Sequence, residues 1–394
     1  MAARSSKFRP EANLDCRRPA VSVLCADRSP VNAAPLNNRP HNERPVIALD
    51  VMGGDGGAAL IIAAAELAHE RYPKLQFRLY GAEAEIRAEL AHAPRVTANA
   101  VVVHTAEVVL NTDKPGQVLR RGRGTSMGMA IAAVKAGDAH GAVSAGNTGA
   151  LMALAKLTLR TMDGIDRPAL AALLPTLKSD SVMLDLGANT ECDAENLVQF
   201  AVMGAAFART VLGLSRPRVA LLNIGEEELK GTEELKDAAA LLRAAQLPME
   251  FEGFVEGDKI GRGDVDVIVT DGFSGNIALK TAEGTGRLVT GLLAQAFRTS
   301  WLSQLGYLLS RGALRALARH LDPNNHNGAV FLGLNGVIVK SHGSANVRGF
   351  ANAIGVAHDL IADDITRRIS DDLANFRAHR PVLVPASTPD TATA

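Results

Sequence analysis

The sequence predicts an α/β fold of three layers, a buried sheet between helices, and three observations predict it. First, short apolar runs recur at Val46–Val51, Leu75–Tyr80, Ala100–Val103, Gly141–Ser144, Ser181–Leu186, Arg218–Ile224, Val265–Thr270 and Gly336–Lys340. They do not alternate with polar residues, as expected of strands buried on both faces in a parallel sheet. Second, Ala/Leu-rich segments with helical spacing separate several of them, among them Ala58–His69, Met127–Ala136, Ala194–Leu212 and Thr232–Ala245. Third, loops rich in Gly, Asn, Ser and Asp follow the runs. Strand, loop and helix repeating in this way describe a sheet covered by helices. The pattern does not order the strands.

Composition sets further bounds. Of 394 residues, 47 % are apolar and 21 % charged, with Lys+Arg and Asp+Glu both at 42. That balance gives no global attraction for nucleic acid, and any charged partner must meet a local patch. Cys16, Cys25 and Cys192 are the three cysteines, too few and too scattered for a disulfide framework, which fits a reducing compartment. No run approaches the roughly 18–20 apolar residues of a membrane span. The N-terminus has no apolar signal core, so a cytoplasmic protein is expected. Residues 1–45, rich in Arg, Pro, Asn and Ser, read as a disordered extension or as a start assigned too far upstream. Residues 46–375 read as the folded domain, and 376–394 as a flexible tail.

In open α/β sheets ligands lie beyond the carboxyl ends of strands. Five loops there are candidates: Asp50-Val-Met-Gly-Gly-Asp55, Ser144-Ala-Gly-Asn-Thr-Gly149, Asp185-Leu-Gly-Ala-Asn189, Asn223-Ile-Gly-Glu-Glu227 and Asp271-Gly-Phe-Ser-Gly-Asn276. Glycine lets the backbone approach a ligand, and the first N–H groups of a following helix attract anions. Any one such loop is equally explained as a tight turn. Five in succession predict a shared anion-lined cleft. No P-loop, dinucleotide-fold GxGxxG, HExxH or paired CxxC pattern occurs in the chain. No metal and no cofactor are therefore expected, and Cys192, a lone cysteine, reads as structural.

At this point the residues resemble a family. Ile47-Ala-Leu-Asp-Val-Met-Gly-Gly-Asp55, Val143-Ser-Ala-Gly-Asn-Thr-Gly-Ala-Leu151, Gly164-Ile-Asp-Arg-Pro-Ala169, Leu221-Leu-Asn-Ile-Gly-Glu226, Thr270-Asp-Gly-Phe-Ser-Gly-Asn-Ile-Ala-Leu-Lys280 and Val339-Lys-Ser-His-Gly-Ser344 are similar to motifs of the phosphate acyltransferases of bacterial phospholipid synthesis, the PlsX family. The likeness runs in order from about Val46 to about Asn375. It implies an isocitrate/isopropylmalate-dehydrogenase-like fold, a homodimer, and acyl transfer from an acyl-carrier-protein thioester to inorganic phosphate. It also implies contact with a downstream acyltransferase that makes an acylglycerol phosphate. The first loop continues Gly56-Gly-Ala where the family has a proline, and residues 1–45 lie outside its pattern.

Phosphate is already an anionic nucleophile, so such a site needs positioning and charge stabilisation rather than a serine or cysteine. With the resemblance, Lys230 and Asn276 are the first candidates for stabilising the transition state. Alternatively, Lys230 is a solvated charge among glutamates and Asn276 a helix cap. Asn147, Thr148 and Gly149 are candidates to cradle phosphate, joined by Asp50, Gly53, Gly54, Gly187, Asn189 and Gly275. Asp271 either orients Lys230 or Asn276 or caps a turn. His342 either protonates the leaving thiolate or is structural. Competing activities are phosphate acetyltransfer from a coenzyme A thioester, an oxidoreductase on the same fold, and a non-catalytic membrane scaffold for phospholipid enzymes.

A basic, leucine-rich segment spans about residues 284–321. From Arg287 to Leu321 it holds five arginines and no Asp or Glu. Trp301, Leu305 and Leu308 recur at helical spacing, as do Arg311, Arg315 and Arg319. A protruding amphipathic helix of this kind suits an anionic membrane surface, giving peripheral association, or an acidic carrier protein. It suits a dimer interface as well. Gly306 and Gly312 argue against one unbroken helix.

Overall fold

The computed structural model describes residues 44–380 except 111 and 114. In chain order the elements are β1 (Val46–Asp50), α1 (Gly57–Arg71), β2 (Gln76–Gly81), α2 (Glu83–Leu90), α3 (Pro94–Asn99), β3 (Ala100–His104), α4 (Pro115–Arg121), α5 (Ser126–Ala136), β4 (Gly141–Ser144), α6 (Thr148–Leu159), β5 (Ala169–Pro175) and β6 (Asp180–Leu184). They continue with α7 (Ala194–Val211), β7 (Arg218–Asn223), α8 (Glu233–Ala244), β8 (Glu250–Glu256), β9 (Val267–Val269), α9 (Gly272–Ala296), α10 (Trp301–His320), β10 (Ala329–Leu332), β11 (Val337–Lys340), α11 (Val347–Ala362) and α12 (Ile365–Ala378). The predicted N-terminal extension falls almost wholly outside the described residues, as do residues 381–394. The chain stays helical past residue 376, because Phe376 is buried in the core.

One 11-stranded sheet runs in the order β3-β2-β1-β4-β11-β10-β5-β6-β9-β7-β8. Strands β3, β2, β1, β4 and β11 are mutually parallel, and so are β6, β9, β7 and β8. Between the two sets, β10 is antiparallel to β11 and β5, and β5 to β6. The purely parallel sheet expected from the sequence is thus corrected to a mixed one. The strands overlooked are β5, β8 and β10. β5 reads ALAALLP, as helix-like as strand-like. β8 alternates glutamates with apolar residues, and β10 has only four residues.

Successive residues of β1 enter different cores. Ile47 and Leu49 pack with α1, α7 and α11, whereas Ala48 packs with α5 and α6. A two-residue side-chain period in a sheet covered on both sides requires this. Helix α7 is buried without interruption from Asn196 to Ala208. Its start is fixed by a reciprocal capping box between Asp193 and Asn196.

Helix α5 sits close to the turn before it, and Gly128 makes that possible, since a Cβ there would lie 1.8 Å from the Gly122 carbonyl oxygen. Alanine favours a helix over glycine by about 1 kcal/mol, but overpacking against backbone costs about 1–3 kcal/mol. Gly128→Ala is expected to lower the urea unfolding midpoint. A midpoint at or above wild type would show that the turn yields.

Candidate functional site

The parallel strands β1, β4 and β11 end side by side, and three loops meet there. Asp50 closes β1 and is fully buried; its carboxylate accepts 2.6 Å hydrogen bonds from the hydroxyls of Ser126 and Ser144. Burial pushes its pKa up, while the two hydroxyls and the backbone of Met52 and Gly53 pull it back. Asp50 thereby ties the first loop to α5 and to the end of β4. Gly53 packs against it, for a Cβ there would lie 2.5 Å from Asp50 Oδ2 and 2.9 Å from Gly146 N. Gly54 takes φ +86° next to Ala145. The Asp55 N–H donates to Gly343 O at 3.0 Å, tying the first loop to the last.

Asn147 caps α6, its Oδ1 accepting from Ala150 N at 2.9 Å. Only its amide nitrogen remains for a ligand. Thr148 and Gly149, in the first turn, are exposed, and the first-turn N–H groups of a helix have no intrahelical acceptor.

Lys340, at the end of β11 and in register with Ser144, escaped the sequence reading. It is only 9 % exposed, and its Nζ donates to the carbonyls of Ala145 and Ser341. Burial lowers its pKa to about 8, assisted by Lys280 and opposed by Asp50 and Asp55. The nearby His342 is likewise lowered by burial and then by Lys340. Its Nδ1 lies 2.9 Å from the Ser344 hydroxyl.

The second group surrounds the ends of β6, β9 and β7. Asp185, fully buried, accepts from the N–H groups of Leu170, Gly187, Ala188 and Asn189, and from Asn189 Nδ2 at 2.8 Å. Burial raises its pKa against these bonds. Asn189 Nδ2 also donates to Pro168 O at 2.8 Å, and Asn189 O accepts from Gly272 N at 2.7 Å. Asp271 caps α9 through Ser274 N at 2.8 Å, which is the capping alternative foreseen for it. A Cβ at Gly275 would lie 1.9 Å from Asp185 O, so the first turn of α9 touches the Asp185 loop. Gly187, at φ +124°, lies beside Asn276, whose Cβ is 3.6 Å from where a Gly187 Cβ would stand. Cys192 close by has its thiol pushed up to about 12 by burial and by Asp185 and Asp271, opposite to the shift of a reactive cysteine.

Strand β7 neighbours β9 and delivers the Lys230 loop to this group. Asn223 shapes that loop, accepting from Ile224 N at 2.8 Å and donating to Lys230 O at 3.1 Å. The Lys230 side chain is 51 % exposed, and its Nζ lies 3.1 Å from Glu227. Glu226 and Glu228 are engaged by Lys259 and Arg243.

The five candidate loops thus fall into two groups. Because β10 and β5 reverse direction, the groups leave the sheet in opposite senses. Lys340 pairs with Ala329, while Val330 pairs with Ala171 and Ala171 with Leu184. The ends of β11 and β6 consequently stand within one residue of the same level, three strands or about 14 Å apart. Helix α9 links them: it starts at the Asp185 loop, and its Lys280 and Glu283 act electrostatically on His342 at the other group. Lys340 and Asp185 are the residues overlooked, although both lie inside the quoted motifs.

Beyond its first turn α9 is largely exposed, and no residue of α10 is buried. Helix α10 is unbroken despite Gly306 and Gly312, correcting the expected interruption. Trp301 is 72 % exposed, with Leu305 and Leu308 exposed beside it and Arg311, Arg315 and Arg319 in the second half. No helix among the described residues is long and apolar enough to cross a membrane.

The fatty acid synthesis protein family matches residues 46–368. A phosphate acyltransferase from Erythrobacter litoralis is 60 % identical over 334 residues, covering 84 % of this chain and 94 % of that protein. One from Rhodospirillum centenum is 55 % identical over 349 residues, covering 88 % and 98 %. Among solved structures, a Streptococcus pyogenes phosphotransacetylase superposes with TM-score 0.54 at 18 % identity, over 81 % of this chain and 94 % of that one. At that identity the likeness concerns the fold alone.

The buried lysine has a signature of its own. Between pH 8 and the ordinary lysine value of 10.5, the unfolded chain binds the proton that folded Lys340 has lost. Its burial cost is therefore full below pH 8 and relieved as pH rises through that window. Wild type should gain thermal stability relative to Lys340→Met from pH 8 to pH 10. A pH-independent difference between the two melting curves would mean that Lys340 does not titrate there.

Proposed function

The chain belongs to the fatty acid synthesis protein family of phosphate acyltransferases, and on that premise we propose that it moves a fatty-acyl group from an acyl-carrier-protein thioester onto inorganic phosphate. The observation that carries this reading is the match to phosphate acyltransferases over nearly their whole length. The fold assignment that goes with it is isocitrate/isopropylmalate-dehydrogenase-like, with the phosphotransacetylase likeness in support.

In the reaction a phosphate oxygen attacks the thioester carbonyl, giving a tetrahedral oxyanion. The carbon–sulfur bond then breaks, the electron pair leaving on sulfur, and the thiolate takes up a proton. A thiol of pKa about 8.5 leaves readily, so strong acid assistance is unnecessary. Asn147, Thr148 and Gly149 hold phosphate at the start of α6. Lys230 and Asn276 stabilise the oxyanion and its leaving group, with Asp271 holding the turn that carries Asn276. The Gly187–Asn189 loop and Gly275, locked to Asp185, form the floor under them. Lys230 reaches the substrate by exchanging Glu227 for it, which its half-exposed position supports.

The working unit is a cytoplasmic homodimer that associates peripherally with membrane. Helix α10 docks on an anionic membrane or on the acidic carrier, and the product passes to an acyltransferase that forms an acylglycerol phosphate. The exposed Trp301, Leu305 and Leu308 and the arginines that follow support this.

Phosphate-dependent release of carrier thiol from a purified acyl-carrier thioester tests the reading, with a coenzyme A thioester alongside. Faster turnover of the coenzyme A thioester would replace the proposed donor. Lys230→Ala and Asn276→Ala should each lower kcat by roughly 10²–10³, the loss usual for one oxyanion donor. Near-wild-type turnover in either would move the site elsewhere. Replacing Trp301, Leu305 and Leu308 by Gln should release the protein from anionic vesicles while soluble turnover persists. Loss of the dimer in sedimentation instead would assign that face to subunit contact.

A further inference from the structure

Lys340 is the one lysine among the buried residues described. Its Nζ donates to two carbonyls, Ala145 O and Ser341 O, and among the described residues no carboxylate forms an ion pair with it. An ammonium has three donors, so one remains. Asp50, the carboxylate acting on it most strongly, is occupied by Ser126 and Ser144. A buried cation with only carbonyl partners is costly to keep and gains most from an anion.

An anion has a place beside it. The Lys340 bond to Ala145 sets the ammonium against the loop that opens α6, a helix of 12 residues. Thr148 and Gly149 are exposed there, and their N–H groups precede any intrahelical acceptor. Other charges facing the lysine are Asp50 from β1, Asp55 from the loop after it and Lys280 from α9, with His342 on its own loop and Glu283 of α9 facing that histidine.

We propose that Lys340 is the cation that anchors inorganic phosphate against the Gly146–Gly149 loop. The assignment rests on the phosphate-transfer reading and divides its labour. Lys340, enclosed and fixed, supplies ground-state binding of the nucleophile, whereas Lys230, exposed and movable, acts where charge develops. Because the ammonium loses its proton near pH 8, phosphate binding weakens as pH rises above that value. Bound phosphate, being anionic, draws the proton back.

Calorimetric titration of the full chain with inorganic phosphate decides it. Lys340→Met should weaken phosphate binding about 10- to 100-fold, the span for one lost charge-assisted hydrogen bond. The KM for phosphate should rise in parallel, with little change in KM for the thioester. Lys340→Arg, which keeps its charge, should bind within a few-fold of wild type at pH 7 and lose the weakening above pH 8. Wild-type phosphate affinity in folded Lys340→Met overturns the proposal. If Lys340→Met does not fold, an arginine variant with the same decline above pH 8 as wild type overturns it too. Lys340-dependent phosphate binding by a wild-type protein that releases no carrier thiol would leave the anchor standing and refute acyl transfer.

Discussion

A carboxylate removed from water has to be surrounded by donors, and the placement of the candidate site depends on that requirement being met twice. Asp185 gathers four backbone N–H groups and the Asn189 amide, so residues 185–189 wrap around one side chain. The start of α9 closes on this loop through Gly272 and Gly275. Asp50 does the same with two hydroxyls, one from α5 and one from β4. Remove either carboxylate and buried donors are left unsatisfied, the more expensive half of breaking a hydrogen bond. Both aspartates hold Gly-rich loops in place through these bonds.

The second determinant is the direction of β10 and β5. In a wholly parallel sheet every loop after a strand would open on one edge. Two antiparallel strands in the middle turn the β6, β9 and β7 ends the other way. Short strands and their stagger keep the two sets of ends at nearly one level, and α9 runs from one to the other. The reversal places the start of α6 and the half-exposed Lys230 on separate halves of the sheet.

The two lysines differ in ways suited to different tasks. Lys230 is half-exposed and paired with Glu227. Lys340 is enclosed and lacks a carboxylate partner, so its charge is conditional. Surface ion pairs of the first kind contribute little to stability, which suits a side chain that exchanges one anion for another.

Much was legible in the sequence for a physical reason. Strands buried on both faces are continuous apolar runs, and eight of the eleven strands stood out that way. Gly, Asn and Asp after those runs marked the loops, because tight turns and helix caps demand those residues locally. The motifs identified the family from residue order alone. What only tertiary structure decided is how residues distant in sequence meet. β5 resembles a helix until β10 and β6 pair with it. Asp50 looks like a ligand residue until Ser126 and Ser144 reach it. Lys340 looks like a surface lysine until the loops from β1 and β4 enclose it. Local pattern records the backbone conformation a segment prefers, but burial and charge state belong to the neighbours that folding brings, and those lie far along the chain.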